Sequence, residues 1–187
     1  VNMIKAIRYL PEGQLMPFRG KKYILEITKS LGKPLVKIAD NKLRVNLYQD
    51  YPPVPVQVPL VKWYRYKAKN YIPAQTAYWA NRMQVRYNKI FIKDQESRWG
   101  SCSSLKNINF NWRIMMAPDE VIDYLLIHEL AHLKEMNHSA RFWEVVGIHD
   151  PKYKEHINWL KNNERDIFVL LPKLPMEILN KITFYTE

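Results

Sequence analysis

The stretch Ile127-His128-Glu129-Leu130-Ala131-His132, with Asn137-His138-Ser139 following, decides how this chain is read. Around it, residues 118–135 predict an amphipathic helix, because Val121, Ile122, Leu125, Leu126, Leu130 and Leu133 recur at helical spacing. Pro118 suits a first helical position, and Asp119 and Glu120 suit the positive end of the helix dipole. On that helix His128 and His132, four residues apart, share a face and can reach one ion together. Glu129 then stands beside the metal without having to bind it, as a general base would. The chain has five histidines, three of them within these eleven residues.

A catalytic zinc ion usually takes three protein ligands and keeps a fourth position for water. His138 is the first candidate for the third ligand, since a left-handed turn at Asn137 would end the helix and bring it back toward the metal. Glu135, two turns after His128, competes with it, as do Glu144, His149 and His156.

Upstream, Arg98-Trp99-Gly100-Ser101-Cys102-Ser103-Ser104 is rich in Gly and Ser and predicts a loop or tight turn. Residues 107–116 predict a strand, with Ile108, Phe110, Trp112 and Ile114 on one face and Asn109, Asn111 and Arg113 on the other. If it is an edge strand, it can pair with an extended peptide. Asn109, Asn111 and Arg113 are candidate substrate-binding residues, and Tyr153 joins them as a candidate to stabilise an oxyanion. Residues 1–48 predict short strands, with Asp40-Asn41 as a hairpin turn between residues 35–39 and 43–48. Four prolines make residues 51–59 an extended connector.

A helix is predicted over 61–70, a second over 74–83 after Pro73, and a strand over 89–93. Trp63, Tyr64, Tyr66 and Tyr71 alternate there with lysines and arginines, a pattern that stacks bases or, more often, packs a core beneath solvated cations. Ser139 caps an expected helix over 140–147, and another is expected over 151–162. The apolar residues 168–187 form a tail expected to dock on the domain or on a partner.

The formal charge is +11, and residues 60–99 hold nine Lys/Arg against Asp94 and Glu96. Such a surface can attract nucleic acid or a nucleotide. No apolar run approaches a membrane span. Lys5 and Arg8 interrupt the apolar start of the chain, which does not fit a signal peptide. Cys102 is the single cysteine, which favours a reducing, cytoplasmic setting.

Taken in order, Arg98-Trp99-Gly100-Ser101-Cys102-Ser103, Ile108-Asn109-Phe110-Asn111, His128-Glu129-Leu130-Ala131-His132-Leu133, Asn137-His138-Ser139 and Phe142-Trp143 resemble the YgjP-like zinc metallopeptidase family, and more distantly the SprT-like and WLM peptidases. The resemblance covers residues 60–162. It implies a zincin-type core with His128, His132 and His138 as zinc ligands and Glu129 as catalytic acid/base. The family pattern has further strands before Pro17, so a reduced N-terminal sheet is expected, and the tail beyond Arg165 lies outside the pattern. Because some members are assigned as nucleotide pyrophosphatases, the resemblance leaves the substrate open between peptide and nucleotide, and the SprT and WLM likeness suggests DNA-linked proteolysis.

The expectation is therefore an α+β protein with a β-rich segment over 1–59, a zincin-like domain with a small mixed or antiparallel sheet over 60–165, and a tail over 166–187. The expected function is zinc-dependent hydrolysis of polypeptide. The alternatives are a metal-dependent nucleoside triphosphate pyrophosphatase and a nucleic-acid-associated protein whose peptidase acts on DNA-bound proteins.

Overall fold

A computed structural model describes residues 10–32, 34–49 and 55–180, and the backbone of 185–186. Most of the first ten residues, read above as unlike a signal peptide, lie outside the described residues. So do 51–54 of the expected connector.

Four strands come first: β1 (Leu15–Phe18), β2 (Lys21–Ser30), β3 (Leu35–Ala39) and β4 (Lys42–Tyr48). The hairpin between β3 and β4 turns at Asp40 and Asn41, both at positive φ (50° and 58°), as the sequence predicts. The β1–β2 hairpin turns at Arg19 (φ 47°) and Gly20 (φ 76°). β4 inserts beside β2 in parallel, burying Leu25, Leu43 and Val45 on one face. The described N-terminal sheet thus has four strands from the first 48 residues.

The next element corrects the sequence reading. A single helix, α1 (Gln57–Arg82), runs through Pro73 and takes in the end of the expected connector. Pro59 falls in the first turn, where its missing N–H has no helical partner to lose. At Pro73 the lost partner is the carbonyl of Lys69, an exposed residue that water can serve. Tertiary packing holds the helix together: Leu60, Tyr64, Ala68, Ile72, Thr76 and Ala80, one per turn, are all buried. The aromatics act as core. Trp63 packs on Phe18 and Tyr64 at ring distances of 4.7 and 5.0 Å, and Tyr64 packs on Trp112 at 5.9 Å.

A second, mixed sheet follows, of β5 (Lys89–Lys93), β6 (Gly100–Cys102) and β7 (Asn107–Asn111), in the order β5-β7-β6. Three expectations change here. Gly100–Cys102 is a strand, antiparallel to β7, and not a loop. β7 lies in the middle of its sheet, so the edge strands are β5 and β6. The strand stops at Asn111, because the Asn111 side chain accepts the Arg113 N–H and opens a 3-10 helix, Trp112–Met116.

α2 (Asp119–Ala131) carries the histidine motif. Its N-terminus is pinned by the first sheet. Arg19 meets the Asp119 carboxylate through two hydrogen bonds of 2.7 Å and lies over the Tyr71 ring at 4.1 Å. A β-carbon at Gly20 would stand 3.3 Å from Pro118. The β1–β2 turn therefore sets where α2 begins.

α3 (Ala140–His149) starts at Ser139, whose hydroxyl accepts the Phe142 N–H, as expected. α4 (Tyr153–Leu170) is longer than expected, and the supposed boundary at 165/166 falls inside it. After α4 the tail docks on the domain. Leu171, Leu174, Ile178 and Leu179 are buried, the last two on α5 (Met176–Asn180). A short β8 (Tyr185–Thr186) then pairs with β3 and completes the first sheet.

Candidate metal centre

α2 ends at Ala131, four residues earlier than the sequence suggests, but His132 keeps helical φ and ψ (−62°, −17°). It therefore stays one turn from His128 on the same face. The chain then tightens, with the Leu133, Lys134 and Glu135 N–H groups bonded back to Leu130 and Ala131. Among the described residues Asn137 is not one of those at positive φ, so the expected left-handed turn is absent. The return is made by the irregular 132–139 segment, which Ser139 stops as the cap of α3.

That return brings three imidazoles together. One nitrogen from each of His128, His132 and His138 lies within 4.8 Å of the others, and Nε2 of His138 is 3.1 Å from Nε2 of His128. The competing candidates are engaged elsewhere. The Glu135 carboxylate pairs with Arg141 at 3.0 Å, and His156 pairs with Asp150 at 2.7 Å. Glu144 is exposed, and His149 lies at the far end of α3.

Two of the rings have their second nitrogen committed. His132 Nδ1 is 3.2 Å from the Glu135 carbonyl, which only an N–H can satisfy, so Nε2 is left bare. His128 Nδ1 is 3.2 Å from the Tyr124 hydroxyl. Burial pulls His128 down to about 3, with the neighbouring His132 and His138 adding to the effect. Burial likewise lowers His132. Neutral imidazoles are the form that binds a metal.

Glu129 faces away from solvent, 4% exposed, and burial pushes its carboxyl up to about 8. Its Oε2 is buried and has no hydrogen-bond partner among the described residues. Gly100 explains how it fits. A β-carbon there would stand 2.5 Å from Glu129 Oε1 and 2.9 Å from its Cγ and Cδ. The glycine of the Trp-Gly-Ser-Cys stretch lets edge strand β6 cross directly over the carboxylate. The sequence reading took this glycine for a turn signal and missed that role.

The candidate substrate residues are placed differently from the expectation. Asn109 is half-buried, and its amide donates to the Ser101 hydroxyl at 3.0 Å. Asn111 and Arg113 are interior, 0% and 1% exposed. Asn111 donates to the Gln95 and Arg98 carbonyls, and Arg113 binds Asp94 at 2.6 Å and the Leu171 carbonyl at 2.9 Å. Both hold the 94–98 loop in place, Arg113 also holds the tail, and neither has a free face for a substrate. Tyr153 stacks on Trp143 at 5.3 Å, and Trp143 on His138 at 5.6 Å.

Comparison with known proteins follows the same lines. The sequence matches the family described as YgjP-like, metallopeptidase domain, over residues 3–163. The match starts well before residue 60, so the family likeness takes in the N-terminal strands, which the sequence reading had expected to depart from it. A similar solved structure is that of the metallopeptidase zymogen of Pyrococcus abyssi abylysin. It is 22% identical, with 50% of this chain and 95% of that chain covered and a TM-score of 0.46. No curated protein matches the sequence.

Proposed function

The chain belongs to the YgjP-like metallopeptidase family, and from that premise we propose that it is a zinc-dependent peptidase with His128, His132 and His138 as ligands and Glu129 as general base. The observation that carries this reading is the convergence of one nitrogen from each of three imidazoles, with the buried Glu129 next in the chain to His128 and its Oε2 without a hydrogen-bond partner among the described residues. The residues fit the ion: three nitrogen donors with at least two of the outer nitrogens occupied make up a catalytic zinc site that keeps one position open. When bound, zinc would acidify water and polarise a carbonyl.

The chain's own residues supply the rest. Glu129 in its carboxylate form accepts a proton from the attacking water; burial raises its carboxyl, and a cation bound beside it would draw it back toward the ionised form. Glu129 then delivers that proton to the leaving amine. Gly100 keeps β6 close above Glu129, which limits where the carboxylate can swing. β6 is at the edge of its sheet, so an extended polypeptide can add to it by backbone hydrogen bonds and lie across Glu129. Asn109, on the neighbouring strand, is the proposed side-chain contact to that polypeptide. The lone thiol of Cys102 suits a reducing, cytoplasmic setting. Among the described residues no helix is long and apolar enough to cross a membrane.

Zinc-loaded protein is expected to cleave an unfolded polypeptide, and Glu129→Gln to abolish cleavage while keeping the ion. Cleavage that survives Glu129→Gln, or that needs no metal, would contradict the proposal. Running the same preparation on nucleoside triphosphates checks the pyrophosphatase alternative, which predicts metal- and Glu129-dependent release of pyrophosphate.

A further inference from the structure

Two of the three histidines are backed by one short corner of the chain, residues 150–156, where α3 gives way to the first turn of α4. Asp150 is 8% exposed and uses both oxygens: Oδ1 accepts the Lys152 N–H at 3.1 Å, and Oδ2 meets His156 Nδ1 at 2.7 Å. The His156 ring so fixed lies 6.1 Å from the ring of Tyr124, which is 4% exposed. The Tyr124 hydroxyl in turn sits 3.2 Å from His128 Nδ1. A second arm leaves the same corner. Tyr153 stacks on Trp143 at an interplanar angle of 16°, and Trp143 stacks on His138 at 26°. His138 is exposed and sits in an irregular segment, so this stack, together with the Phe142 ring edge-on at 4.7 Å, backs its ring.

We infer that the α3–α4 corner is a clamp that positions the metal ligands, with Tyr124 as the positioning residue for His128 and Tyr153, through Trp143, for His138. The inference rests on the metal reading of the three histidines. With His128 Nε2 facing the cluster, Nδ1 carries the proton and donates it to the Tyr124 oxygen. That bond sets both the tautomer and the angle of the ring. The Asp150–His156 pair restrains Tyr124 from behind. The stacked arm acts by shape, limiting the rotamers open to His138.

The two arms make different predictions. Tyr124→Phe removes one hydroxyl and keeps the ring, and loss of such a partner weakens metal binding by roughly 10- to 100-fold. Asp150→Ala acts on the same arm, so it should weaken zinc less than Tyr124→Phe and add little to it in the double variant. Tyr153→Leu acts on the other arm, and its effect should multiply with that of Tyr124→Phe.

The experiment is zinc affinity of the full chain by competition with a chromogenic chelator, together with the visible spectrum of the cobalt-loaded protein. Thermal unfolding of the metal-free forms reports on the fold separately. The expected result is weaker zinc binding and an altered cobalt spectrum in Tyr124→Phe and Tyr153→Leu, with metal-free unfolding changed far less. Variants that bind zinc as the parent does, within twofold, overturn the clamp, whether or not they unfold earlier. Should Tyr124→Phe not fold, Asp150→Ala and Tyr153→Leu decide by the same criterion. A parent chain that binds no ion overturns the metal reading itself, and a parent that binds with unaffected variants overturns the clamp alone.

Discussion

Replacing Gly100 with alanine tests the closest contact in the site. The added methyl would stand 2.5 Å from Glu129 Oε1, and reaching the 3.4 Å of ordinary contact takes a movement of about 0.9 Å. β6 is bonded to β7 through the pairs Gly100–Phe110, Ser101–Asn109 and Cys102–Ile108, and Phe110 and Ile108 are fully buried. The strand is therefore held, and the carboxylate must move. A displacement of about 1 Å in a catalytic group costs on the order of 100-fold in rate. Overpacking of this kind also destabilises by about 1–3 kcal/mol, which for a chain of this length lowers Tm by roughly 2–12 °C. The three histidines are untouched, so zinc affinity should hold. The assay is kcat/KM on an unfolded polypeptide, beside zinc affinity and thermal unfolding. A Gly100→Ala protein with parental kcat/KM would refute the reasoning, since it would mean that Glu129 either has room to spare or does not take the proton.

Further outcomes follow from the same geometry. His132→Ala should lose stoichiometric zinc by elemental analysis, because two imidazoles remain of three. Arg113→Met leaves the half-buried Asp94 with only Arg65, at 3.3 Å, and the Leu171 carbonyl without its donor, and should cost about 1–3 kcal/mol in urea unfolding, with the active site affected only through the fold. Burial and the nearby Glu129 push the Cys102 thiol up to about 11, so its thiolate is scarce at pH 8 and grows as pH rises toward that value. Alkylation of the native protein at pH 8 should be on the order of 100-fold slower than of the unfolded chain, and equal rates would contradict it. Arg19→Ala frees the N-terminus of α2 from the first sheet. The pair is partly exposed, so the loss should be small, about 1 kcal/mol or less by thermal unfolding.

The parts of the site that were legible in the sequence are the local ones. His128, Glu129 and His132 sit within one helical turn and a half, where spacing alone fixes their face. The Asp40-Asn41 turn was legible because both residues tolerate positive φ. The parts that were not legible depend on distant partners. Pro73 marks a helix break in sequence, yet α1 continues because a buried stripe from Leu60 to Ala80 outweighs one lost hydrogen bond. Gly100 signals a turn by composition, and only the packing of β6 on α2 shows that it makes room for Glu129. Arg113 alternates with apolar residues as a solvent-facing strand residue would. Its actual place follows from Asp94 and from the Leu171 carbonyl 58 residues away, neither of which a local pattern contains. Tyr124 stands one turn before His128 on the same helix, but what backs it, His156, comes from α4, and Tyr153, expected as an oxyanion candidate, stacks on Trp143 of α3.

The central claim is that three histidines hold a catalytic ion while Glu129 stays free beside it. Anomalous diffraction at the zinc edge, from crystals of the zinc-loaded protein, tests this most directly. The account predicts one peak at about 2.0–2.1 Å from a nitrogen of each of His128, His132 and His138, with the Glu129 carboxylate outside bonding distance. A peak bonded to Glu129, a peak elsewhere in the chain, or none at these histidines would contradict it.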